Sequence, residues 1–497
     1  MTQVQPGAIM IQTDILDRLA VLQKLAKRRR SQIYLVGGFL RDRVLGRPLS
    51  GKADFDFTVS SGALALARAF AKAVRGAFVL LDREAGCARV ARKTPDGILT
   101  FDFADFRADD LAGDLRGRDF TINTLALDFG NSDLAALGGP AGILKAAQAH
   151  PLARRDLKAR VLRMAAAATF VDDPLRILRA YSLKAQLGFR IEPATLKRMK
   201  KDLPGLRDVS PERVREELFK VLDSAGAAST LRAMDSAGVL TAVVPQLLVM
   251  RGVKQGGYHH LDVWKHTLET VAQFEKLISS LQSDPALAQD LAAYFDAEVA
   301  GGHSRRALVK LACLLHDIGK PDTRKKEPEG RTSFHGHEHV GRRIARIVGK
   351  QLLLSTRERY ALEDMVMLHL RPGYLSNFKR PSDKAVYRFL REAGEEAVSV
   401  LLLSLADQYA TRGPLTTDYD VRHHEEIAFP LVRAFFARKK EKPFVRFING
   451  HDLIRELKLM PGPAFAGILK AVEEAQHLGK VKTRAEALEL ARKQVMK

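Results

Sequence analysis

Residues 32–42 read Gln32-Ile33-Tyr34-Leu35-Val36-Gly37-Gly38-Phe39-Leu40-Arg41-Asp42, and Asp54-Phe55-Asp56-Phe57-Thr58-Val59 follows; these two stretches decide the fold. The apolar run to Val36 predicts a strand, the glycine pair ends it, and Phe39 to Leu45 reads as a helix. Residues 55–59 alternate apolar and polar, which predicts a second strand. Side chains on a strand alternate between faces, so Asp54 and Asp56 point the same way. Two carboxylates on one face suit a pair of divalent cations. One such cation activates an attacking hydroxyl and the other neutralises a triphosphate and its departing pyrophosphate. Gly37 and Gly38 allow backbone to approach phosphates closely, and the helix behind them is expected to offer unpaired N–H groups.

Outward from this core, residues 11–30 predict a helix, with Ile15, Leu19, Leu22 and Leu25 at helical spacing and a basic Lys27-Arg28-Arg29-Arg30 end. A helix over 62–75 and strands over 77–81, 87–92, 98–103 and 124–129 complete an α+β unit. From about residue 150 the pattern turns all-α, with helices expected from Asp173 through Leu187 and from Pro211 through Leu222. A histidine-rich helical block covers 255–425. The basic run Arg438-Lys439-Lys440 and Pro443 read as a linker before a small helical tail.

The 497 residues are too many for one core, and three or four domains or subdomains are expected. Lys and Arg exceed Asp and Glu by enough to give a net charge of +22, which favours a polyanionic partner such as nucleic acid. The two cysteines, Cys87 and Cys313, lie far apart without metal-type spacing, so a reducing cytoplasm is the expectation. Neither an apolar signal core nor a run of membrane-spanning length is seen, and no membrane partner is expected.

Strand, Gly-Gly, helix, then a strand bearing Asp-x-Asp resembles the polymerase β nucleotidyltransferase superfamily. Asp102, within Thr100-Phe101-Asp102-Phe103, matches that superfamily's third strand carboxylate, with Asp105 close by. The resemblance implies catalytic roles for Asp54, Asp56 and Asp102, with Mg²⁺ on Asp54 and Asp56, and nucleotide contacts from Gly37, Gly38 and Arg41. Arg118-Asp119-Phe120-Thr121-Ile122-Asn123 is similar to the Arg-Arg-Asp-Phe-Thr-Ile-Asn motif of class II tRNA nucleotidyltransferases and bacterial poly(A) polymerases, where it contacts the ribose and phosphates of the incoming nucleotide. Arg118 and Asp119 carry over. The motif's first arginine is replaced by Gly117, which puts one phosphate contact in question.

Val171-Asp172-Asp173-Pro174-Leu175-Arg176-Ile177-Leu178-Arg179 begins as a helix should, with an aspartate cap before a proline. On that helix Asp173 and Arg176 would share a face. A carboxylate only accepts hydrogen bonds and a guanidinium only donates them. Cytosine and adenine each place an amino donor beside a ring-nitrogen acceptor, whereas uracil and guanine reverse that order. One Asp/Arg pair is therefore able to admit CTP and ATP and reject UTP and GTP. The run resembles the Glu/Asp-Asp-x-x-Arg motif of class II CCA-adding enzymes, which select bases this way, and Arg179 joins the nucleotide-binding set.

His266, His316-Asp317, the cluster His335-Gly336-His337-Glu338-His339, His369 and Asp407 follow in an order that resembles the HD phosphohydrolase superfamily. Imidazole and carboxylate ligands suit a divalent metal that activates water. The resemblance implies ligation by His266, His316, Asp317, His337, His369 and Asp407, of Mg, Mn, Ni or Co. Any of the three clustered histidines fits the third position, and His337 is preferred because it stands four before Gly341.

Together these resemblances imply a mixed α/β nucleotidyltransferase head (1–148), a helical neck carrying the selecting motif (149–225), an HD domain (226–435) and a tRNA-binding helical tail (436–497). They imply addition of C, C and A to the tRNA 3′ end from CTP and ATP by a two-metal mechanism, with HD-domain phosphohydrolysis for 3′-end repair. The rival readings are a poly(A) polymerase, a split enzyme adding only CC or only A, and a hydrolase or RNA-binding protein with an inactive head. The number of subunits is left open.

Overall fold

The computed structural model describes residues 13–47, 54–95, 97–328, 331–377, 379–441 and 444–495. The chain divides into two compact units, residues 1–209 and 210–497.

The first unit is built on a six-stranded mixed sheet: β1 (Ile33–Val36), β2 (Asp54–Val59), β3 (Ala77–Asp82), β4 (Cys87–Thr94), β5 (Gly97–Asp105) and β6 (Ala126–Asp128), in the order β3-β4-β5-β2-β1-β6. The helices are α1 (Thr13–Arg29), α2 (Gly38–Val44) and α3 (Ala63–Val74). The pair at the centre, β2 and β5, is parallel, and α3 with the β3–β4 hairpin makes the crossover that parallel strands require. Their register sets Phe55 beside Phe101, Asp56 beside Asp102 and Phe57 beside Phe103.

That register follows from the alternation. Phe55 and Phe101 stack with ring centroids 5.1 Å apart, Phe57 and Phe103 at 5.3 Å, and Phe70 of α3 meets Phe101 edge-on at 5.0 Å. All five rings are buried, and each such pair adds roughly 0.5–1.5 kcal/mol beyond area burial. A slip of one residue would put carboxylates into this aromatic layer and the rings into solvent. The pattern that builds the core therefore also gathers the carboxylates on the opposite face.

The second unit is helical around two segments apolar on nearly every side, Arg305–Leu315 and Ala397–Ala410. Helices Val263–Leu281, His337–Gln351 and Thr356–Leu368 surround them. The tail helices Gly450–Leu457, Ala464–His477 and Arg484–Val495 enclose a small core of their own that includes Leu453, Ile468, Val472 and Ala487. Among the described residues no helix is long and apolar enough to cross a membrane.

Three local expectations are corrected. Arg438, Lys439 and Lys440 are the last turn of helix Asp418–Lys440 rather than a linker, because cations at a helix C-terminus are stabilised by its dipole; Pro443 lies outside the described residues. Residues 121–123 form a 3₁₀ turn, so β6 is shorter than the strand expected over 124–129. The helix expected from Asp173 starts at Arg176, with Asp173 closing a short preceding turn, Thr169–Asp172.

Candidate active site and metal centre

On the open face of the sheet Asp54, Asp56 and Asp102 lie side by side, Asp54 exposed and the other two half-buried. Thr100 Oγ1 donates to Asp54 and fixes its carboxylate. Burial, and then the adjoining Asp102 carboxylate, push the Asp56 carboxyl above its usual range, with Arg118 and Arg179 pulling the other way. Asp105, the alternative to Asp102, accepts the Ala63 N–H at 2.8 Å and so starts α3. It is a capping residue, and Asp102 is the register partner of Asp56.

Gly37 is required for two reasons. Its φ is +79°, where other residues are strained, and a Cβ there would stand 3.3 Å from Asp56 Oδ2 and 3.4 Å from Arg118 Nη1. The turn thus brings Arg118 up to the carboxylates. Gly37 N–H donates to Leu125 O at 3.1 Å. Arg41 is held within the protein. Its buried guanidinium donates to Asp42 at 2.9 Å and to Asn123 Oδ1 at 2.7 Å, and packs under Gly38. It braces the glycine turn against the 121–123 turn rather than presenting a charge outward.

Asp119 ties the segment after Arg118 to the helix that carries Arg179. Its Oδ1 accepts from Phe120 N–H at 2.7 Å and from Asn123 Nδ2 at 3.0 Å, and its Oδ2 meets Arg179 Nε at 2.9 Å. Burial alone would raise this carboxyl, yet Arg179 and the two N–H donors bring it below the usual range. Arg176 is buried and donates to Gly117 O at 2.8 Å and Thr169 O at 3.3 Å. The position where the motif departs from its family therefore supplies a carbonyl that orients Arg176. Asp173 Oδ1 accepts the Leu175 N–H at 3.2 Å. Carboxylate and guanidinium are both held by backbone groups.

In the second unit the six expected residues converge. His266 Nε2 is 2.8 Å from Asp407 Oδ1 and 3.6 Å from Asp317 Oδ2; His316 Nε2 is 3.2 Å from that same Asp317 oxygen. Asp317 Oδ1 lies 3.3 Å from His337 Nε2 and 3.9 Å from His369 Nε2, and those two ring nitrogens are 3.2 Å apart. Of the clustered histidines, His337 is buried while His335 and His339 are exposed. Each ring of His316, His337 and His369 places Nδ1 on the carbonyl three residues earlier, Cys313, Phe334 and Val366, at 2.7–2.9 Å. Those rings turn Nδ1 to backbone carbonyls and Nε2 to the cluster, the arrangement of metal-bound histidine.

Donor atoms about 3–3.5 Å apart are the edges of a coordination shell with bonds of roughly 2.0–2.2 Å. The residues present therefore fit divalent metal, and Asp317 divides its two oxygens between two histidine pairs. Burial and the neighbouring His337 and His316 push His369 down to about 3, while His316 and Lys320 hold Asp317 far below the usual range despite its burial. A cavity of about 740 Å³ opens over Asp317, His369 and Asp407, walled by Tyr258, Lys320 and Thr411.

Two residues went unread in the sequence. Lys320 Nζ donates to Asp317 Oδ2 at 2.6 Å and to Gln255 at 2.7 Å; its signal was the spacing of three from Asp317. Arg89 clamps Asp102, and nothing but its alternation within β4 announced it.

Residues 33–143 match the Poly A polymerase head domain, 188–250 the probable RNA and SrmB-binding site of polymerase A, and 263–412 the HD domain. The A-adding tRNA nucleotidyltransferase of Deinococcus radiodurans is 34% identical over 460 residues, covering 91% of this chain and 93% of the relative. The chain belongs to the tRNA nucleotidyltransferase family. Another member, the CC-adding tRNA nucleotidyltransferase of Geobacter sulfurreducens, is 32% identical over 96% of this chain and 95% of its own. Among solved structures, a CCA-adding enzyme in complex with CTP superposes with a TM-score of 0.61 at 21% identity, covering 98% of this chain and 97% of that one. The Thermotoga maritima CCA-adding enzyme complexed with tRNA gives 0.59 at 20%, covering 98% and 96%. At these identities the structures establish the fold, and the sequence relatives establish the family and with it a nucleotidyltransferase.

Proposed function

We propose that this chain is a template-independent tRNA nucleotidyltransferase that joins cytidylate and adenylate units to the tRNA 3′ end, and that its HD cluster is a second, metal-dependent phosphoesterase site. The observation that carries the transferase reading is the carboxylate triad in register on β2 and β5, with Gly37 and Arg118 against it. In each transfer the acceptor's 3′ oxygen bonds to the α-phosphorus as the hydroxyl proton leaves. The bond from that phosphorus to the bridging oxygen breaks, and pyrophosphate departs with its electrons.

Asp54, Asp56 and Asp102 would hold Mg²⁺. Bound there, divalent cations activate the hydroxyl and neutralise the triphosphate. Arg118 and Arg179 compensate phosphate charge, and Asp119 fixes Arg179. Asp173 and Arg176, oriented by Leu175 N–H and by Gly117 O and Thr169 O, read the base. The surplus of +22 suits the tRNA body, and a cytoplasmic location accords with that substrate.

In the HD domain, His266, His316, Asp317, His337, His369 and Asp407 would hold divalent metal. Cations there activate water. Lys320 and the cavity above would receive a terminal or 2′,3′-cyclic phosphate, which fits repair of damaged ends. Hydrolysis of such esters with Mg²⁺, Mn²⁺, Ni²⁺ or Co²⁺ is the expected result; inactivity with all four contradicts it.

A second reading, restriction to A alone or to CC alone, is favoured by the names of the two relatives above. Labelled CTP and ATP, separately and together, on tRNA lacking one, two or three terminal nucleotides decide the matter. Addition of C, C and A that then stops supports the full reading, and addition of one nucleotide type alone supports the split one. Long A tails on any RNA, or no incorporation, overturn both.

A further inference from the structure

The arginines around the carboxylate triad are anchored in two different ways. Arg118 Nη2 is tied to Asp114 at 3.3 Å and Arg179 to Asp119, and both acids stand outside the triad. Arg89 is tied to the triad itself. It faces Asp102 directly across the β4–β5 ladder, between the buried Ala88 and Val90, and so emerges on the carboxylate face. Nε and Nη2 each donate at 2.8 Å, one to either oxygen of Asp102, in a two-pronged bond. The pair stays accessible, the arginine side chain 44% exposed and the aspartate 27%.

The strand order places the rest. Reading β4-β5-β2-β1 across the sheet gives Arg89, Asp102, Asp56 and then Gly37, which follows β1. Arg118 stands beside Gly37. The phosphate-compensating groups thus bracket the carboxylates, Gly37 and Arg118 on one side and Arg89 on the other. A triphosphate seated against Gly37 and Arg118 leaves the Arg89 side to the acceptor strand. A cation reaching Asp102 competes with a guanidinium for its oxygens, and that group, once displaced, stays tethered on the same face.

We propose that Arg89 is a positioning residue for the acceptor strand: its guanidinium yields Asp102 to a divalent cation and takes the phosphodiester next to the acceptor's 3′ end. This rests on the transfer reading above and adds a named contact to it. Arg89 thereby opposes metal binding in the free enzyme and assists the acceptor in the loaded one, two effects of opposite sign from one side chain.

The test uses the full chain and two readouts. Mn²⁺ binding is titrated without nucleotide or RNA, the head's sites being those that Asp54→Ala removes. Steady-state kinetics then give KM for the acceptor tRNA and for CTP or ATP separately. Arg89→Ala is expected to bind Mn²⁺ at the head roughly threefold or more tighter and to raise the acceptor KM about tenfold, with nucleotide KM within about twofold. Arg89→Lys, which keeps the charge but not the two-pronged bond, is expected to recover most of the acceptor KM while still binding Mn²⁺ more tightly than wild type. Unchanged or weaker Mn²⁺ binding in Arg89→Ala, or an equal rise in both KM values, overturns the proposal. Wild-type incorporation stands or falls separately, so failure of the Arg89 role is distinguishable from failure of the transfer reading.

Discussion

The carboxylates of the first unit and the histidine cluster of the second set charged ligands in opposite surroundings. Asp54, Asp56 and Asp102 ride on strands whose other face is a phenylalanine layer, and all three stay within reach of solvent. Their charge is balanced by arginines from other elements, Arg89 from β4 and Arg118 and Arg179 from beyond the sheet. His266, His316, Asp317 and His369 ride on helices or their ends and are almost fully buried. There the carboxylates are balanced by imidazoles and, at Asp317, by Lys320 as well. Oxygen ligands on an open face suit hard cations that come and go with substrate, whereas buried imidazoles suit a resident transition metal. One chain thus carries carboxylates open to solvent and a buried cluster of imidazoles.

The comparison breaks most visibly if the two sites prove coupled. His316→Ala is expected to lower bound metal after dialysis and to cut phosphoesterase activity by roughly 100-fold or more, while nucleotide transfer stays within about threefold. Elemental analysis and the two assays on one preparation check this, and a parallel loss of transfer would refute separate sites. A smaller effect is expected within the first unit. Asp173→Ala should lower discrimination of CTP and ATP against UTP and GTP by roughly 10–100-fold in kcat/KM while triphosphate binding changes little. Full retention of discrimination would count against base reading by this pair.

The smallest expected effect is on stability. Asp56 has a carboxyl pKa raised by burial and by Asp102. A raised folded-state value means that ionisation opposes folding. The penalty is absent below the ordinary carboxylate range, where Asp56 is neutral folded or unfolded, and complete above the raised value. Asp56→Asn should therefore increase Tm by a few degrees at neutral pH, and the gain should vanish on acidification. Added Mg²⁺ should raise the wild-type Tm and leave that of Asp56→Asn nearly unmoved. A variant equally stable or less stable at neutral pH would contradict the charge crowding on this face.

The sequence carried the fold where one pattern served two purposes. Phe55, Phe57, Phe101 and Phe103 could alternate with Asp54, Asp56 and Asp102 in only one way on a sheet with one buried face, so strand, register and carboxylate face were legible together. The histidine order was legible because six ligand residues follow one another in a set order, and burial then separates His337 from His335 and His339. What stayed hidden depends on partners remote in sequence. Arg41, expected at the nucleotide, is held by Asp42 and Asn123, and Arg89 reads as any solvent-facing arginine of a half-buried strand. Gly117 looked like a missing arginine, and its carbonyl turns out to orient Arg176. The run 438–440 was misread because basic residues end helices as readily as they fill linkers.

Single-turnover addition of labelled CTP by Asp56→Asn shows whether the open carboxylate face performs the transfer. The substrate is tRNA lacking its terminal nucleotides, and tRNA and CTP binding are measured on the same protein. Transfer is expected to slow by roughly 1,000-fold or more with tRNA bound as tightly as by wild type. Transfer within about tenfold of wild type, by a variant that binds both substrates, would contradict it.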